Sequence, residues 1–336
     1  MRWRKILAGA DQMKRYSDYN AYLRNLFGQR VQKISVDAGL TCPNRDGTLS
    51  RAGCIYCNAK GAGTGAFARG LSISQQIEAG KIGAVKKYKA KKFIAYFQSF
   101  TNTYAPVDHL KALYEEALSC EGVVGMAVGT RPDCVDKAKI DLLEAYTRDH
   151  LIWLEYGLQS AHDATLALIN RQHDFKAFET AMALVAPKKK LNVCAHIILG
   201  LPGETRDMML ENARILGDLG VNGVKIHLLY VIRGTALDKM YDQGRYTPLE
   251  QQAYVDLVCD FLERLPRSMI IQRITGDPHV DELVAPLWSA RYRETFNMIQ
   301  QTLEARDSYQ GVNSPAINNK ICENWFSFSW DFASIP

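Results

Sequence analysis

Three cysteines share one loop near the start of the chain, in the stretch LTCPNRDGTLSRAGCIYCNAKGAG from residue 40 to residue 63. Cys42, Cys54 and Cys57 have the spacing C-x11-C-x2-C, and glycines and turn-forming residues surround them. Three thiolates on one loop can bind a single soft metal centre. Structural zinc normally has a fourth protein ligand, but no histidine lies between residues 30 and 108. A cubane iron–sulfur cluster held by only three cysteines leaves one iron open to an exogenous ligand.

The spacing of these thiols favours an iron–sulfur cluster, and two alternatives stay open. Catalytic zinc can take three protein ligands and a water, although a set of three thiolates is uncommon. Thiol redox chemistry between Cys54 and Cys57 is the other alternative, but it does not explain Cys42. The remaining cysteines are scattered, and we expect buried structural thiols at Cys120, Cys134, Cys194, Cys259 and Cys322.

Polar side chains occur within or directly after a series of short apolar segments. They are Gln98, Arg131, Glu155, Gln159, His196, Lys225 and His227. An ionisable residue inside an apolar strand must be paired or must line a cavity. Because the carboxyl ends of parallel strands meet at one end of a sheet, the four ionisable residues at 155, 196, 225 and 227 predict a polar cavity there. The stretch from Ile198 through Gly200 to Pro202 is either an ordinary turn or a close approach to a flat ligand.

The apolar segments that carry these residues define the fold class. They span 34–36, 93–97, 123–128, 152–154, 193–199 and 224–231, and after the first interval their starts are separated by 30, 29, 41 and 31 residues, which is the length of a βα unit. This α/β pattern predicts parallel strands, in an open doubly wound sheet or in a barrel. Further along, we expect a helix at 249–265, a strand at 269–276, a helix at 291–304 and an aromatic tail.

Composition excludes several classes of protein. The chain has 336 residues, of which 47% are hydrophobic, but no apolar run reaches 18 residues and the basic N-terminus is a poor signal peptide. We therefore expect a cytoplasmic protein that does not enter the membrane. The net charge of +5 is mild. The lysine-rich stretches at 86–92 and 188–190 indicate exposed helix ends and are compatible with phosphate contacts.

The cysteine loop and several later motifs resemble the radical S-adenosylmethionine (radical SAM) superfamily. The run CPNRDGT followed by GC-x-x-C, together with AYFQSFTNTYAPV, GTRPDCV, HIILGLPGE and MIIQRITGD, is similar to a bacterial subfamily distantly related to the radical domain of the Elongator catalytic subunit. The resemblance implies a partial (β/α)6 TIM-type barrel with a C-terminal α+β extension. It divides the chain into an N-terminal segment 1–30, a radical SAM core 31–265, and an extension with the aromatic tail, 266–336.

The same resemblance implies the cofactors and their chemistry. A [4Fe-4S] cluster is expected on Cys42, Cys54 and Cys57, with S-adenosylmethionine chelating the fourth iron. One electron, from a donor such as flavodoxin or ferredoxin, would cleave the cofactor to methionine and a 5′-deoxyadenosyl radical, which then takes a hydrogen from the substrate. Direct ligation would place the sulfonium beside the electron source.

The resemblance also implies roles for the polar residues at the strand ends. Gln98 matches the contact with the methionine amino group, and Glu155 and Gln159 match contacts near the ribose. The adenine would lie against the stretch that contains Ile198, Gly200 and Pro202, and His196 joins this cofactor-binding set. The candidates for catalysis, through cofactor-carboxylate or substrate contacts, are Arg131, Lys225 and His227.

The subfamily that this sequence resembles implies a tRNA substrate. One member converts the 5-carboxymethylaminomethyl side chain of the wobble uridine to the aminomethyl form, which a separate methyltransferase then methylates. A radical enzyme acting on a small metabolite or a protein is the first alternative. A zinc or iron–sulfur binding module without catalysis is the second.

Overall fold

The computed structural model describes residues 15–58, 61 and 65–314. The aromatic tail, Cys322 and the first 14 residues lie outside this part. The strands are β1 Val31–Val36, β2 Lys92–Phe97, β3 Val123–Thr130, β4 Leu151–Gln159, β5 Asn192–Leu199, β6 Gly223–Leu228, β7 Val231–Ile232, β8 Ile270–Arg273 and β9 Leu283–Ala285. The helices are α1 Tyr19–Phe27, α2 Ile73–Tyr88, α3 Val107–Leu118, α4 Lys137–Tyr146, α5 Asp163–Leu168, α6 Phe175–Val185, α7 Arg206–Asp218, α8 Ala236–Asp242, α9 Gln251–Arg264 and α10 Tyr292–Ala305.

One parallel sheet of seven strands forms the centre of the molecule, in the order β1-β2-β3-β4-β5-β6-β8. The predicted α/β architecture of a partial TIM-type barrel is confirmed, and six of the strands lie where the apolar segments predicted them. The seventh, β8, lies in the segment assigned to the C-terminal extension, yet it pairs with β6 through Gly223 and Ile270. The division of the chain into a core and an extension stays a prediction.

The last apolar segment, at 224–231, is divided rather than continuous. Strand β6 ends at Leu228, and Val231 and Ile232 instead pair antiparallel with β9. A strand must end where its backbone leaves the ladder, and neither hydropathy nor length marks that point in an apolar run. The chain therefore turns out of the sheet at the end where the polar residues gather.

The outer face of the sheet packs under the helices. Its buried side chains, such as Val36, Phe97, Val128 and Leu154, belong to one continuous apolar core with the inner faces of the helices. Local signals set the helix ends, because a side chain that accepts from a first-turn N–H satisfies one of the unpaired donors there. Ser72 caps α2 in this way and completes a capping box with Gln75.

The inner face of the sheet is closed at its amino end by α1. Tyr19 packs edge-on against Trp153 of β4, with ring centroids 5.6 Å apart, and Leu23 is buried in the same cluster. Helix α1 also contacts both edge strands, β1 and β8, and Ser17 accepts a backbone hydrogen bond from Ile271. Burying side chains of this size contributes about 1.5–3 kcal/mol each. One helix thus covers the floor of the barrel and the gap between its edges.

Both lysine-rich stretches lie at this closed end, since each directly precedes the start of a strand. Lys86 and Lys87 occupy the exposed last turn of α2, as predicted for a helix end. Lys188 is already paired with Asp141 and Glu144 of α4. In the part of the chain that the structure describes, no helix is both long and apolar enough to span a membrane.

Candidate functional site

The cysteine loop leaves β1 at the open, carboxyl end of the sheet. The carbonyl of Cys42 accepts the backbone N–H groups of Arg45 and Asp46 at 2.8 and 3.1 Å, and Cys57 donates its N–H to the carbonyl of Cys54 at 2.9 Å. These two tight turns orient the thiols. Cys42 and Cys54 are buried, and Cys57 is half-buried.

The segment after α5 holds the cysteine loop in place. The Asn44 amide donates to the carbonyl of Asn170 at 2.7 Å, and the Asn170 amide donates in return to the carbonyl of Gly53 at 2.6 Å. The backbone of Ile55 adds a hydrogen bond to the carbonyl of Ile169 at 3.1 Å. Reciprocal bonds of this kind fix the loop against the segment that follows α5.

Side-chain donors surround two of the three sulfur atoms. Arg45 Nη1 lies 3.3 Å from Cys57 Sγ, and Arg171 Nη1 lies 3.5 Å from Cys54 Sγ. The Asn44 amide is 3.6 Å from the same sulfur of Cys54. Burial raises the pKa of the Cys57 thiol, with a contribution from Cys54, while Arg45 lowers it. N–H groups that point at sulfur are suited to thiolates that carry negative charge.

The three thiols fit an anionic iron–sulfur centre. A cubane cluster held by three cysteines carries its thiolates on separate irons. Cys42, Cys54 and Cys57 lie on one loop, and side-chain N–H groups point at the sulfur atoms of Cys54 and Cys57. Because hydrogen bonds to sulfur suit the thiolates of such a centre, these residues fit a [4Fe-4S] cluster.

Below the cysteine loop, a buried charge cluster crosses the interior of the barrel. It consists of Lys33, Tyr96, Glu155, His196 and Lys225, from five different strands. Oε1 of Glu155 accepts from Lys33 at 2.7 Å, and Oε2 accepts from His196 at 2.9 Å and from Lys225. Lys225 also donates to the hydroxyl of Tyr96 at 2.8 Å. The carboxylate of Glu155 is completely buried and is satisfied within the protein.

Opposing effects set the protonation of this charge cluster. Burial disfavours ionised Glu155, but the ammonium groups of Lys225 and Lys33 outweigh it and hold the pKa of Glu155 well below its usual range. Burial lowers the pKa of Lys225 to about 7, although Glu155 raises it. Burial and Lys225 lower the pKa of His196 to about 4, and burial and Arg273 hold the pKa of His227 well below normal. Both imidazoles are therefore neutral near pH 7, and Lys225 can exchange a proton there.

The predicted residues of strands β2 and β4 lie nearer the opening. Ser35 donates to the side-chain oxygen of Gln98 at 3.2 Å, which fixes the amide at the end of β2. Strand β4 does not stay extended to its end, because Gln159 has a φ of 76° and the register with β5 shifts there. A Cβ at Gly157 would lie 2.7 Å from the Gln159 amide. Glycine at 157 therefore leaves the space that this bent strand end needs.

The turn after β5 has a backbone that a flat ligand can approach closely. Gly200 has a φ of 87°, and its carbonyl accepts from the Tyr246 hydroxyl at 2.9 Å. Ile198, a buried neighbour, packs in one apolar cluster with Tyr246 and with Tyr56 of the cysteine loop. Pro202 is buried in the same turn. The predicted adenine-binding stretch is thus an apolar surface beside the loop.

The remaining predicted residues occupy different depths. Arg131 is buried at the end of β3 and makes two hydrogen bonds to Asp133, at 2.9 and 2.7 Å. Its Nη1 has no hydrogen-bond partner among the described residues. His227 stands beside His196, with ring centroids 5.4 Å apart, on the inner face of the barrel. The structure therefore brings His196, Lys225 and His227 together and leaves Arg131 on a separate strand end.

Several residues of the site were missed from the sequence. Lys33 and Ser35 share the inner face of β1, and Ile34 between them faces the apolar core. The sequence contains this alternation, but it covers too few residues to be recognised. Asn44 and Arg45 stand within the quoted loop motif. Arg171 lies 117 residues from Cys54, the thiol that it contacts, and no local pattern in the sequence connects the two.

Two protein-family patterns match most of the chain. The Radical SAM superfamily pattern matches residues 42–216, more than half of the chain, and the Radical_SAM C-terminal domain matches residues 221–305. The fold is shared with the archaeal Methanocaldococcus infernus Elp3 at a TM-score of 0.64, with 17% identity, over 83% of this chain and 64% of that one. The chain belongs to the radical SAM superfamily, whose cofactors are a [4Fe-4S] cluster and S-adenosylmethionine.

Two relatives match different shares of this chain. The uncharacterized protein YtqA of Bacillus subtilis is 44% identical over 89% of this chain and 92% of its own length. The tRNA uridine(34) acetyltransferase of Dehalococcoides mccartyi is 28% identical over 54% of this chain and 39% of its own length. The first match extends along nearly the whole chain, whereas the second is confined to part of it.

Proposed function

We propose that this radical SAM enzyme converts the 5-carboxymethylaminomethyl side chain of a tRNA wobble uridine to the aminomethyl form. The observation that carries the proposal is the placement of the three-thiol loop at the open end of a barrel whose interior holds a satisfied charge cluster. Bound at the three thiols, a [4Fe-4S] cluster and S-adenosylmethionine would supply a 5′-deoxyadenosyl radical after one-electron reduction. The chain's own residues bind the cofactor, orient the substrate and exclude water from the interior.

The shape of the barrel supports a substrate that enters as a protruding group. Because α1 covers the floor, the interior opens toward the cysteine loop. An unstacked base of a single-stranded RNA loop can be inserted into such an opening, as in other enzymes that modify bases. The wobble uridine is in the anticodon loop, and the D. mccartyi relative is a tRNA uridine(34) acetyltransferase.

The roles of the individual side chains follow from their depth. Gln98, Gln159 and the stretch from Ile198 to Pro202 lie near the opening and are proposed to bind S-adenosylmethionine. Lys225 lies deeper, level with His196, and His227 lies level with Ile198 in the register of β5 and β6. Both are proposed to face the reacting group, with Lys225 exchanging a proton because its pKa is about 7. The electron donor is proposed to be a flavodoxin or a ferredoxin.

The direct test compares wobble-uridine nucleosides in tRNA from a deletion strain and its parent. We expect the carboxymethylaminomethyl form to accumulate in the deletion strain and the aminomethyl and methylaminomethyl forms to disappear, because a separate methyltransferase acts on the product. Complementation with the wild-type gene should restore them, and a Cys57→Ala gene should not. Unchanged nucleosides would refute the tRNA proposal and leave a metabolite or a protein as substrate.

The catalytic class has its own test. After anaerobic reconstitution, the wild-type chain should contain about four irons and sulfides and should cleave S-adenosylmethionine when reduced. Bound zinc without cleavage would instead support a non-catalytic metal-binding module.

A further inference from the structure

Two arginines direct N–H groups at two of the three cluster thiols. Arg45 contacts Cys57 Sγ at 3.3 Å, and Arg171 contacts Cys54 Sγ at 3.5 Å. Among the residues that the structure describes, Cys42 Sγ has no comparable donor. The three thiols are therefore not equivalent, although they occupy one loop.

Neither arginine is neutralised by a carboxylate in the described ranges. Arg171 is only 7% exposed, and its Nη2 donates to the carbonyl of Gly157 at 2.5 Å. Arg45 donates to the carbonyl of Asn58 at 2.6 Å. A buried cation without a counter-ion is costly. Asp133 also acts on Arg171 electrostatically, but the groups in direct contact with these two guanidinium groups are the thiols of Cys57 and Cys54. Their position therefore suits a negatively charged centre on those sulfur atoms.

A cluster on three thiolates is such a centre. With a core charge of +2, the oxidised cluster and its thiolates sum to −1, and reduction by one electron takes the sum to −2. A fixed positive charge stabilises the second state more than the first. Hydrogen bonds to the sulfur atoms act in the same direction and are one of the factors that set cluster potentials.

We propose that Arg45 and Arg171 are positioning residues that raise the reduction potential of the cluster through their N–H···S contacts with Cys57 and Cys54. Arg171 has a second contact, because its other nitrogen is fixed on the bent end of β4. It therefore joins the cluster to the strand that carries Gln159. This inference rests on the cluster that defines the family and is independent of the tRNA substrate.

The test is an anaerobic redox titration of the reconstituted cluster, followed by electron paramagnetic resonance, without S-adenosylmethionine or RNA. Arg45→Gln and Arg171→Gln should each reduce the equilibrium constant for cluster reduction at least tenfold, a shift of about 59 mV to lower potential for one electron. Arg171→Lys keeps the charge but loses the planar fork, so its shift should be smaller. Arg148→Gln is the matched control, because that side chain is 84% exposed and pairs with Asp149 at the closed end.

Iron content separates a change of potential from a loss of the cluster. Potentials of loaded Arg45→Gln and Arg171→Gln that equal the wild-type value would overturn the proposal. If Arg171→Gln does not retain four irons, the potentials of Arg171→Lys and Arg45→Gln are measured instead. Potentials equal to the wild-type value in both of these variants would also overturn the proposal. A negative shift in the loaded variants, absent in Arg148→Gln, supports it whatever the substrate is.

Discussion

Replacing Glu155 with glutamine should destabilise the fold strongly, although the two side chains have nearly the same shape. The carboxylate is completely buried and accepts from Lys33, His196 and Lys225. Glutamine would remove the counter-charge that Lys33 and Lys225 share, so each amine must stay charged without a partner or release its proton, and Lys225, with a pKa of about 7, already lies close to that point. Breaking a buried ionic network by removing one partner costs about 3–5 kcal/mol.

The expected change in melting temperature follows from the size of the chain. Unfolding entropy of about 2.1 cal/mol/K per residue gives about 0.6 kcal/mol/K for the roughly 300 residues that the structure describes. A loss of about 3–5 kcal/mol therefore lowers the apparent Tm by about 5–8 °C. Differential scanning calorimetry at pH 7, on samples of equal iron content, measures this shift.

A second variant identifies the cause of the loss. In Glu155→Gln combined with Lys225→Met, one uncompensated cation is removed, so the double variant should recover much of the lost stability. An apparent Tm within 2 °C of wild type for Glu155→Gln would refute the reasoning, because it would mean that the carboxylate is not needed to balance the lysines. Weakened binding of S-adenosylmethionine without a loss of stability would instead favour the predicted contact of Glu155 near the ribose.

Three further predictions concern the cluster, the buried lysine and the substrate. Cys57→Ala should abolish cluster binding and S-adenosylmethionine cleavage while the circular dichroism spectrum stays native; retained cleavage would show that the ligand assignment is wrong. Between pH 7 and 10 the unfolded chain binds a proton at Lys225 that the folded chain does not, since burial lowers the folded pKa to about 7. Wild-type stability relative to Lys225→Met should therefore rise by up to about 1.4 kcal/mol per pH unit above pH 7, measured by urea unfolding at pH 7.5 and 8.5; a flat difference would contradict the burial of the ammonium group. Arg51 of the cysteine loop and Arg233, which directly follows β7, are exposed on segments at the open end, so changing both to Ala should weaken binding of the proposed tRNA substrate and lower its salt slope by about 1–2, whereas Lys86→Ala at the closed end should not; equal effects in filter-binding assays would place the RNA elsewhere.

Sequence patterns predicted the parts of this molecule that depend on neighbours along the chain. The strands could be predicted because each is a short apolar run, and their spacing of about 30 residues implied parallel pairing. The start of α2 could be predicted to within two residues, because Ser72 and Ser74 are both possible caps, and the structure places the cap at Ser72. The three thiols could be predicted as one site because they lie on one loop.

Other features depend on tertiary contacts and could not be predicted in this way. The stretch 269–276 has the composition of a strand, but its place beside β6 is decided by packing of the whole sheet. The three partners of Glu155 come from other strands, and Lys33 lies 122 residues away in sequence. Spacing carries no information about contacts of this range, so Arg171, which contacts Cys54 from 117 residues away, emerged only from the fold.

Helix α1, which covers the floor of the barrel, has a kinetic consequence. An interior with one opening has to be filled in a fixed sequence, because whatever lies at the opening prevents later entry. For the proposed tRNA substrate, the small cofactor should bind before the RNA covers the mouth, and the spent cofactor fragments should leave after the RNA departs. The fragments should therefore inhibit competitively against S-adenosylmethionine but not against RNA, whereas modified RNA should not compete with S-adenosylmethionine, which is the pattern of an ordered mechanism.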